Sequence, residues 1–282
     1  LNILEALSYA KRELLHCCFD PHIRPALEAE LLLGYVLDTT REWLHTWGEH
    51  TIEEADWEML KACVSRRLQG EPIEYIIKSA SFYGREFYVD ERVLIPRPET
   101  EILVEKVHAL IQEKNIQTIG EIGTGSGVIS IILGLLCPEL RIIATDISPT
   151  ALQVAQINLE NHANSANQLR VRVGFVCANL FEGISEVPKV LVSNPPYIAK
   201  GYPLGKNILY EPHNALFGGD VGDEILRLII DFGSLVGVEF LACEIGWDQK
   251  EALEIYLRAH GYEGVFYRDL SGFYRGFIAY LL

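Results

Sequence analysis

From residue 116 onward the chain alternates short apolar runs with longer stretches of helical period, and few folds accept that order of elements. Residues 116–122, 141–145, 171–177, 190–193 and 240–244 read as buried strands, and 264–267 and 275–281 close the series. Helical patterns fill the gaps at 128–136, from 149 to about 161, at 223–236 and at 248–260. Pro138 ends the first of these helices, and Ser148-Pro149 gives the second a cap and a first-turn proline. The prediction is an α/β fold: a Rossmann-like, seven-stranded, mostly parallel sheet with helices on both faces. Ligands of such sheets bind beyond the carboxyl ends of the strands, so the residues that follow each strand carry the chemistry.

The first 74 residues lack this alternation. Ile3, Leu4, Leu7, Leu14 and Leu15 recur at helical spacing, and Pro25 opens a second helix through Leu27, Leu31, Leu32, Tyr35 and Val36. Thr51 with Glu54 makes a capping-box pattern for a third helix that stops near Gly70 and Pro72. Trp43, Trp47 and Trp57 could form a docking face, but aromatics in a small bundle are more often core. Residues 75–93, with Phe82, Tyr83, Phe87 and Tyr88 around Gly84, read as a β-hairpin. The expected organisation is a helical domain at 1–74, a hairpin linker at 75–93 and a catalytic α/β domain at 94–282. At the head of the last, Leu94-Ile95-Pro96-Arg97-Pro98-Glu99-Thr100-Glu101 reads equally as a proline-stiffened linker or as a strap across a ligand pocket, which would offer Arg97 and Glu99 to a substrate.

Three strand ends carry the motifs. Gly123-Thr124-Gly125-Ser126-Gly127 joins the first strand to its helix, where glycines admit a tight turn and a close ligand approach at a helix N-terminus. A dinucleotide fingerprint would need a glycine at 128, and the residue there is Val128, which moves the reading toward S-adenosylmethionine. Asp146 ends the second strand, where a carboxylate can accept from both hydroxyls of a ribose. Asn179 and Leu180, after the third strand, are placed to meet adenine by its amino group and its face, while Phe181 reads equally well as core.

The fourth strand runs into Ser193-Asn194-Pro195-Pro196-Tyr197. Two consecutive prolines donate no backbone N–H and hold the chain extended, so its carbonyls are open to accept. The Asn194 side-chain oxygen and the Pro195 carbonyl can take the two hydrogens of a planar NH2 group, and Tyr197 offers a ring to its face. Both a glutamine amide and the adenine amino group answer that description.

Composition narrows the partners. A formal charge of −15 argues against a phosphate backbone, since nucleic-acid binders ordinarily carry a basic patch. No apolar run reaches a membrane span and no basic-then-apolar leader opens the chain, so a cytoplasmic location is expected. Cys17, Cys18, Cys63, Cys137, Cys177 and Cys243 show no CxxC pair or ligand spacing and read as buried free thiols, with no metal site.

Along most of its length the chain resembles the bacterial release-factor glutamine methyltransferases (PrmC, also called HemK). The resemblance rests on Gly70-Glu71-Pro72 with Tyr75, Phe82-Tyr83-Gly84, the 93–101 strap, the glycine loop and Asn194-Pro195-Pro196-Tyr197. It continues through Glu211-Pro212, Ala215-Leu216, Gly218-Gly219, and Glu244-Ile245-Gly246 with Gln249. Asn-Pro-Pro-Tyr also occurs in DNA adenine methyltransferases, so the strap discriminates. Glu121 stands where an Asp is more usual and Asn179 replaces a common Asp.

The resemblance implies a class I S-adenosylmethionine-dependent methyltransferase that methylates the glutamine of the Gly-Gly-Gln motif in class I release factors and leaves S-adenosylhomocysteine. The helical domain would dock the release factor, with no direct contact to nucleic acid or membrane. The expected site comprises Asn194, Pro195 and Tyr197 as catalytic groups. Gly123, Thr124, Gly125, Ser126, Gly127, Asp146, Asn179, Leu180 and Asn194 would hold the donor, and Pro196, Arg97 and Glu99 would join the loop around the substrate. The alternatives are an adenine-amino methyltransferase acting on nucleic acid and a non-catalytic donor-binding scaffold.

Overall fold

Asn2 opens the first helix, α1 (Ile3–Leu14), with a reciprocal cap: its side chain accepts from the Glu5 amide, and Glu5 accepts from the Asn2 amide. Helices α2 (Pro25–Val36), α3 (Arg41–Thr46), α4 (Glu54–Gln69) and α5 (Ile73–Ile77) follow. Ile3, Leu14, Leu32, Leu33, Leu44 and Leu60 are buried together among them. Thr51 does not cap α4; it bridges to Asn2, and the helix starts from Glu53 without a side-chain cap. Trp43 and Trp57 pack on this core, whereas Trp47 is exposed. The computed structural model describes residues 1–17, 23–164 and 167–282; Cys18 lies outside them.

Two compact units divide the chain, Leu1–Ser79 with Pro203–Glu211, and Ala80–Tyr202 with Pro212–Leu282. The hairpin is shorter than its pattern suggests, β1 (Ser79–Phe82) and β2 (Arg85–Tyr88). Residues 73–77 are helical instead, because Pro72 starts a turn that buries Ile73, Tyr75 and Ile76 and left-handed Lys78 ends it. The helix after the strap, α6 (Pro98–Lys114), begins at its second proline, so Glu99, Thr100 and Glu101 form its first turn. Glu101 then accepts from the Tyr83 amide and ties down the hairpin turn.

The alternating region folds as β3 (Thr118–Ile122), α7 (Val128–Leu136), β4 (Arg141–Asp146), α8 (Pro149–His162), α9 (Leu169–Arg172), β5 (Val173–Cys177) and β6 (Val190–Ser193). It continues with β7 (Ile198–Ala199), α10 (His213–Leu216), β8 (Phe217–Gly219), α11 (Glu224–Val236), β9 (Phe240–Glu244), α12 (Lys250–Ala259), β10 (Tyr262–Arg268) and β11 (Tyr274–Leu281). The third strand starts later than expected because α9 precedes it, pinned by Arg172, whose guanidinium donates to the carbonyls of Gly134, Cys137, Leu140 and Asn167. Seven strands form one sheet in the order β10-β11-β9-β6-β3-β4-β5. Every neighbouring pair is parallel except the two made by β11.

The period of two along each strand divides the core. Ile119, Val190, Val192 and Ala242 face α6 and α7, while Leu191, Leu241 and Cys243 face α11 and α12. Gly120 faces the second side because a Cβ there would sit 2.5 Å from the ring of Phe181, which is core as its alternative reading had it. Cys63, Cys137 and Cys243 are buried free thiols and Cys17 is buried, but Cys177 is exposed, since β5 is an edge strand.

Candidate active site

Register aligns the strand ends. Ile122 pairs with both Thr145 and Ser193, and Ser193 pairs with Cys243. One residue further on, Gly123, Asp146, Asn194 and Glu244 therefore stand in a row along the carboxyl edge of the sheet. The chain leaves β3 toward β4 and β5 and returns to β6 on the opposite side of β3, so the row straddles the switch point of the topology.

The glycine loop is held from both sides. Gly123, Gly125 and Gly127 all adopt positive φ, 72°, 54° and 83°, as the turn into α7 requires. The Asp146 carboxylate accepts from the Gly125 amide at 2.9 Å and from the Ser148 amide at 2.9 Å, while Ser148 itself caps α8 by accepting from Ala151. Burial raises the Asp146 carboxyl above its ordinary value, opposed by those backbone donors. Beneath the loop lies Glu121, buried, with one oxygen accepting from the hydroxyls of Thr124 and Ser130. Its other oxygen has no partner among the described residues, and burial pushes this carboxyl up to about 7.

The Asn194 loop is held by a second buried carboxylate. Asn194 Nδ2 donates to Thr100 Oγ1 at 3.0 Å, and the Thr100 hydroxyl donates to Glu244 Oε2 at 2.7 Å. Tyr197 Oη donates to the other oxygen of Glu244 at 3.0 Å. Burial, together with the neighbouring Glu244, keeps the Tyr197 phenol protonated far above its ordinary range. Glu244 is pushed up to about 7 by burial, opposed by its two hydroxyl donors and by Arg275. Gln249 closes the loop from behind, donating to the Tyr197 carbonyl at 3.0 Å and accepting from the Gly246 amide. Strand β7 pairs with β8 directly after the loop, and a Cβ on Gly222 would lie 2.7 Å from the Tyr197 carbonyl.

One cavity opens along this edge. Of the expected residues, Gly123, Thr124, Gly125 and Ser126 line it, with Asp146, Asn179, Leu180, Asn194, Pro195, Pro196 and Arg97. Gly127, Glu99 and Tyr197 do not; Glu99 lies in the first turn of α6, and the Tyr197 hydroxyl is turned to Glu244. Asn179 is exposed and bonded to Glu182, and Leu180, at φ 50°, gives its carbonyl to the Thr145 hydroxyl. Thr100, Glu121 and Ile147 also line the cavity, outside the residues the sequence assigns to the site. The signal that picks out Asp146, an acid closing a buried strand, applies equally to Glu244. Among the described residues no cluster of His, Cys, Asp or Glu is placed to hold a metal ion, and no helix is long and apolar enough to cross a membrane.

The strand order, the lone antiparallel β11 and the acid after the second core strand are those of a class I S-adenosylmethionine methyltransferase fold. Solved structures share it. The catalytic domain of human METTL16 in complex with the MAT2A 3′UTR hairpin 6 superposes with a TM-score of 0.57 at 16% identity, covering 81% of this chain and 82% of that one. The METTL16 N-terminal domain in complex with SAH gives 0.52 at 18% identity, over 88% and 93%. Family models match as the PrmC N-terminal domain at residues 5–77 and the methyltransferase small domain at 98–219. The release factor glutamine methyltransferase of Buchnera aphidicola is 36% identical over 93% of this chain and 92% of its own length. That of Bordetella pertussis is 36% identical over 91% and 94%. The chain belongs to the release factor glutamine methyltransferase family and is a methyltransferase.

Proposed function

We propose that this enzyme methylates the side-chain amide nitrogen of the glutamine in the Gly-Gly-Gln motif of class I release factors, in the cytoplasm, using S-adenosylmethionine. The observation that carries the reading is the state of Asn194. With Nδ2 committed to Thr100, Oδ1 is left as the open acceptor of a side chain that lines the cavity. The adjacent Pro195 carbonyl receives no hydrogen bond from the described residues either. Two neighbouring acceptors match the two hydrogens of a primary amide.

The residues around the glycine loop fit the donor. Glu121 offers a buried oxygen without a partner to an ammonium group, and Asp146 offers its carboxylate to ribose hydroxyls. Ile147, 64% exposed, and Leu180 give apolar surface for an adenine ring. When bound, this donor supplies an electrophilic methyl group on a sulfonium.

A glutamine amide is a weak nucleophile because its lone pair is delocalised into the carbonyl, so alignment and stabilisation of developing positive charge carry the catalysis. Asn194 Oδ1 and the Pro195 carbonyl orient the nitrogen and stabilise its hydrogens as they become acidic. Tyr197 acts behind them, anchored to Glu244. Arg97, at the start of α6 and on the cavity wall, is assigned to the substrate backbone. The same loop would accept an adenine amino group, but a net charge of −15 disfavours a nucleic-acid substrate.

Asn194→Ala tests this arrangement. Turnover is expected to fall on the order of 100-fold, as when one stabilising group is removed from a preorganised site. Donor binding, followed by calorimetry, should persist. A variant that keeps most of its rate overturns the assignment.

A further inference from the structure

Glu244 lies outside the cavity lining, yet one of its oxygens is committed to Thr100, which lines the cavity, and the other to Tyr197 at the end of the Asn194 loop. The chain Asn194–Thr100–Glu244 has a direction. A threonine hydroxyl has one proton, and Thr100 gives it to the carboxylate; toward Asn194 it can therefore only accept. That requirement turns Nδ2 toward Thr100 and Oδ1 away from it. We propose that Glu244 is a positioning residue that sets the polarity of the Asn194 carboxamide through Thr100, so that the incoming NH2 group meets an acceptor rather than a donor. The proposal rests on the reading of Asn194 given above.

With Thr100 on one oxygen and Tyr197 on the other, an ionised carboxylate accepts from both and has no proton of its own to place. A protonated or amidated side chain at 244 must donate to one of them. Donation to Thr100 turns the threonine proton onto Asn194, the carboxamide flips, and Nδ2 faces the substrate amide, donor against donor. Donation to Tyr197 strands the phenol proton of a buried ring. The groups facing Glu244 set its charge: Arg275 from β11 favours the carboxylate, while Glu99 from α6 and burial oppose it, and the buried Tyr197 and Tyr267 stay neutral. Arg275 is shared with Asp269, which accepts from its Nη2 at 2.9 Å.

Thr100→Val keeps the shape of the side chain and removes the hydroxyl, whereas Thr100→Ser does the reverse. If Thr100 only packs, the valine variant works and the serine variant suffers. If it carries polarity, Thr100→Val loses about tenfold or more in kcat, the usual cost of removing a group that orients a catalytic residue, and Thr100→Ser recovers most of it. Donor affinity should be the same in both. Glu244→Gln should lose kcat likewise and should lack the fall in kcat expected of the parent between about pH 8 and about pH 6 at saturating donor. Thr100→Val turning over as fast as Thr100→Ser, with Asn194→Ala inactive, overturns this inference alone; an active Asn194→Ala overturns the reading beneath it.

Discussion

The site has two halves, each built over a buried glutamate that ends or nearly ends a sheet strand. Glu121 and Glu244 lie on the same face of the sheet, both accept from hydroxyls, and burial pushes both up to about 7. They differ in what they leave open. Glu121 concentrates its two hydroxyl donors on one oxygen and keeps the other without a partner beside the cavity. Glu244 spends one oxygen on Thr100 and the other on Tyr197 and does not line that cavity. The same chemical group thus serves once as a ligand site and once as a bracket for other ligand sites. Satisfaction of its oxygens, rather than burial or pKa, tells the two apart.

The sharpest way to break that comparison is to neutralise the ligand-facing member. Glu121→Gln should weaken donor binding roughly tenfold, the scale of one charge-assisted hydrogen bond, with the loss falling on donor Kd rather than on turnover at saturation. Calorimetry beside steady-state rates checks this. A loss confined to kcat would make Glu121 a second bracket.

A smaller effect is expected behind the Asn194 loop. Gly218 and Gly222 sit so close to the loop backbone that an added Cβ on either would collide with a carbonyl, that of Pro196 for Gly218 and that of Tyr197 for Gly222. Gly218→Ala should destabilise the fold by ~1–3 kcal/mol, as overpacking does, and lower kcat while sparing donor affinity. Denaturant midpoints and binding measurements separate the two consequences.

The smallest effect is on pH-dependent stability. Both glutamates have folded-state pKa values raised above the ordinary 4.5, so between about 4.5 and about 7 the folded chain binds more protons than the unfolded one. Stability therefore falls as pH rises through that window. Glu121→Gln should flatten the fall, gaining melting temperature relative to the parent at pH 8 more than at pH 4. Equal shifts at both pH values would show that the carboxyl is not buried at a cost.

What could be read from the sequence follows the same division. Helix α7 and strands β6 and β9 have the bounds their patterns predict, because unbroken apolar runs between turn residues leave little choice. The donor half is contiguous or nearly so: Glu121, the glycine loop and Asp146 are neighbours along the chain, and each ends or follows a strand. The amide half is assembled from distant parts. Thr100 and Glu244 are 144 residues apart, and nothing in either stretch announces the other. Their meeting depends on α6 lying over β9 and on the strand period that turns Glu244 to that face. The clasp of β8 on β7 was illegible for a different reason, since Phe217–Gly219 is too short and too rich in glycine to read as a strand.

The amide that Asn194 is proposed to hold is that of a release-factor glutamine. Labelled methyl donor should be supplied in parallel with a class I release factor, with the same factor carrying a replacement at the Gly-Gly-Gln glutamine, and with DNA. Label in the unaltered factor alone, mapped to that glutamine, is the predicted result. Label in the DNA or in the glutamine-replaced factor would contradict it.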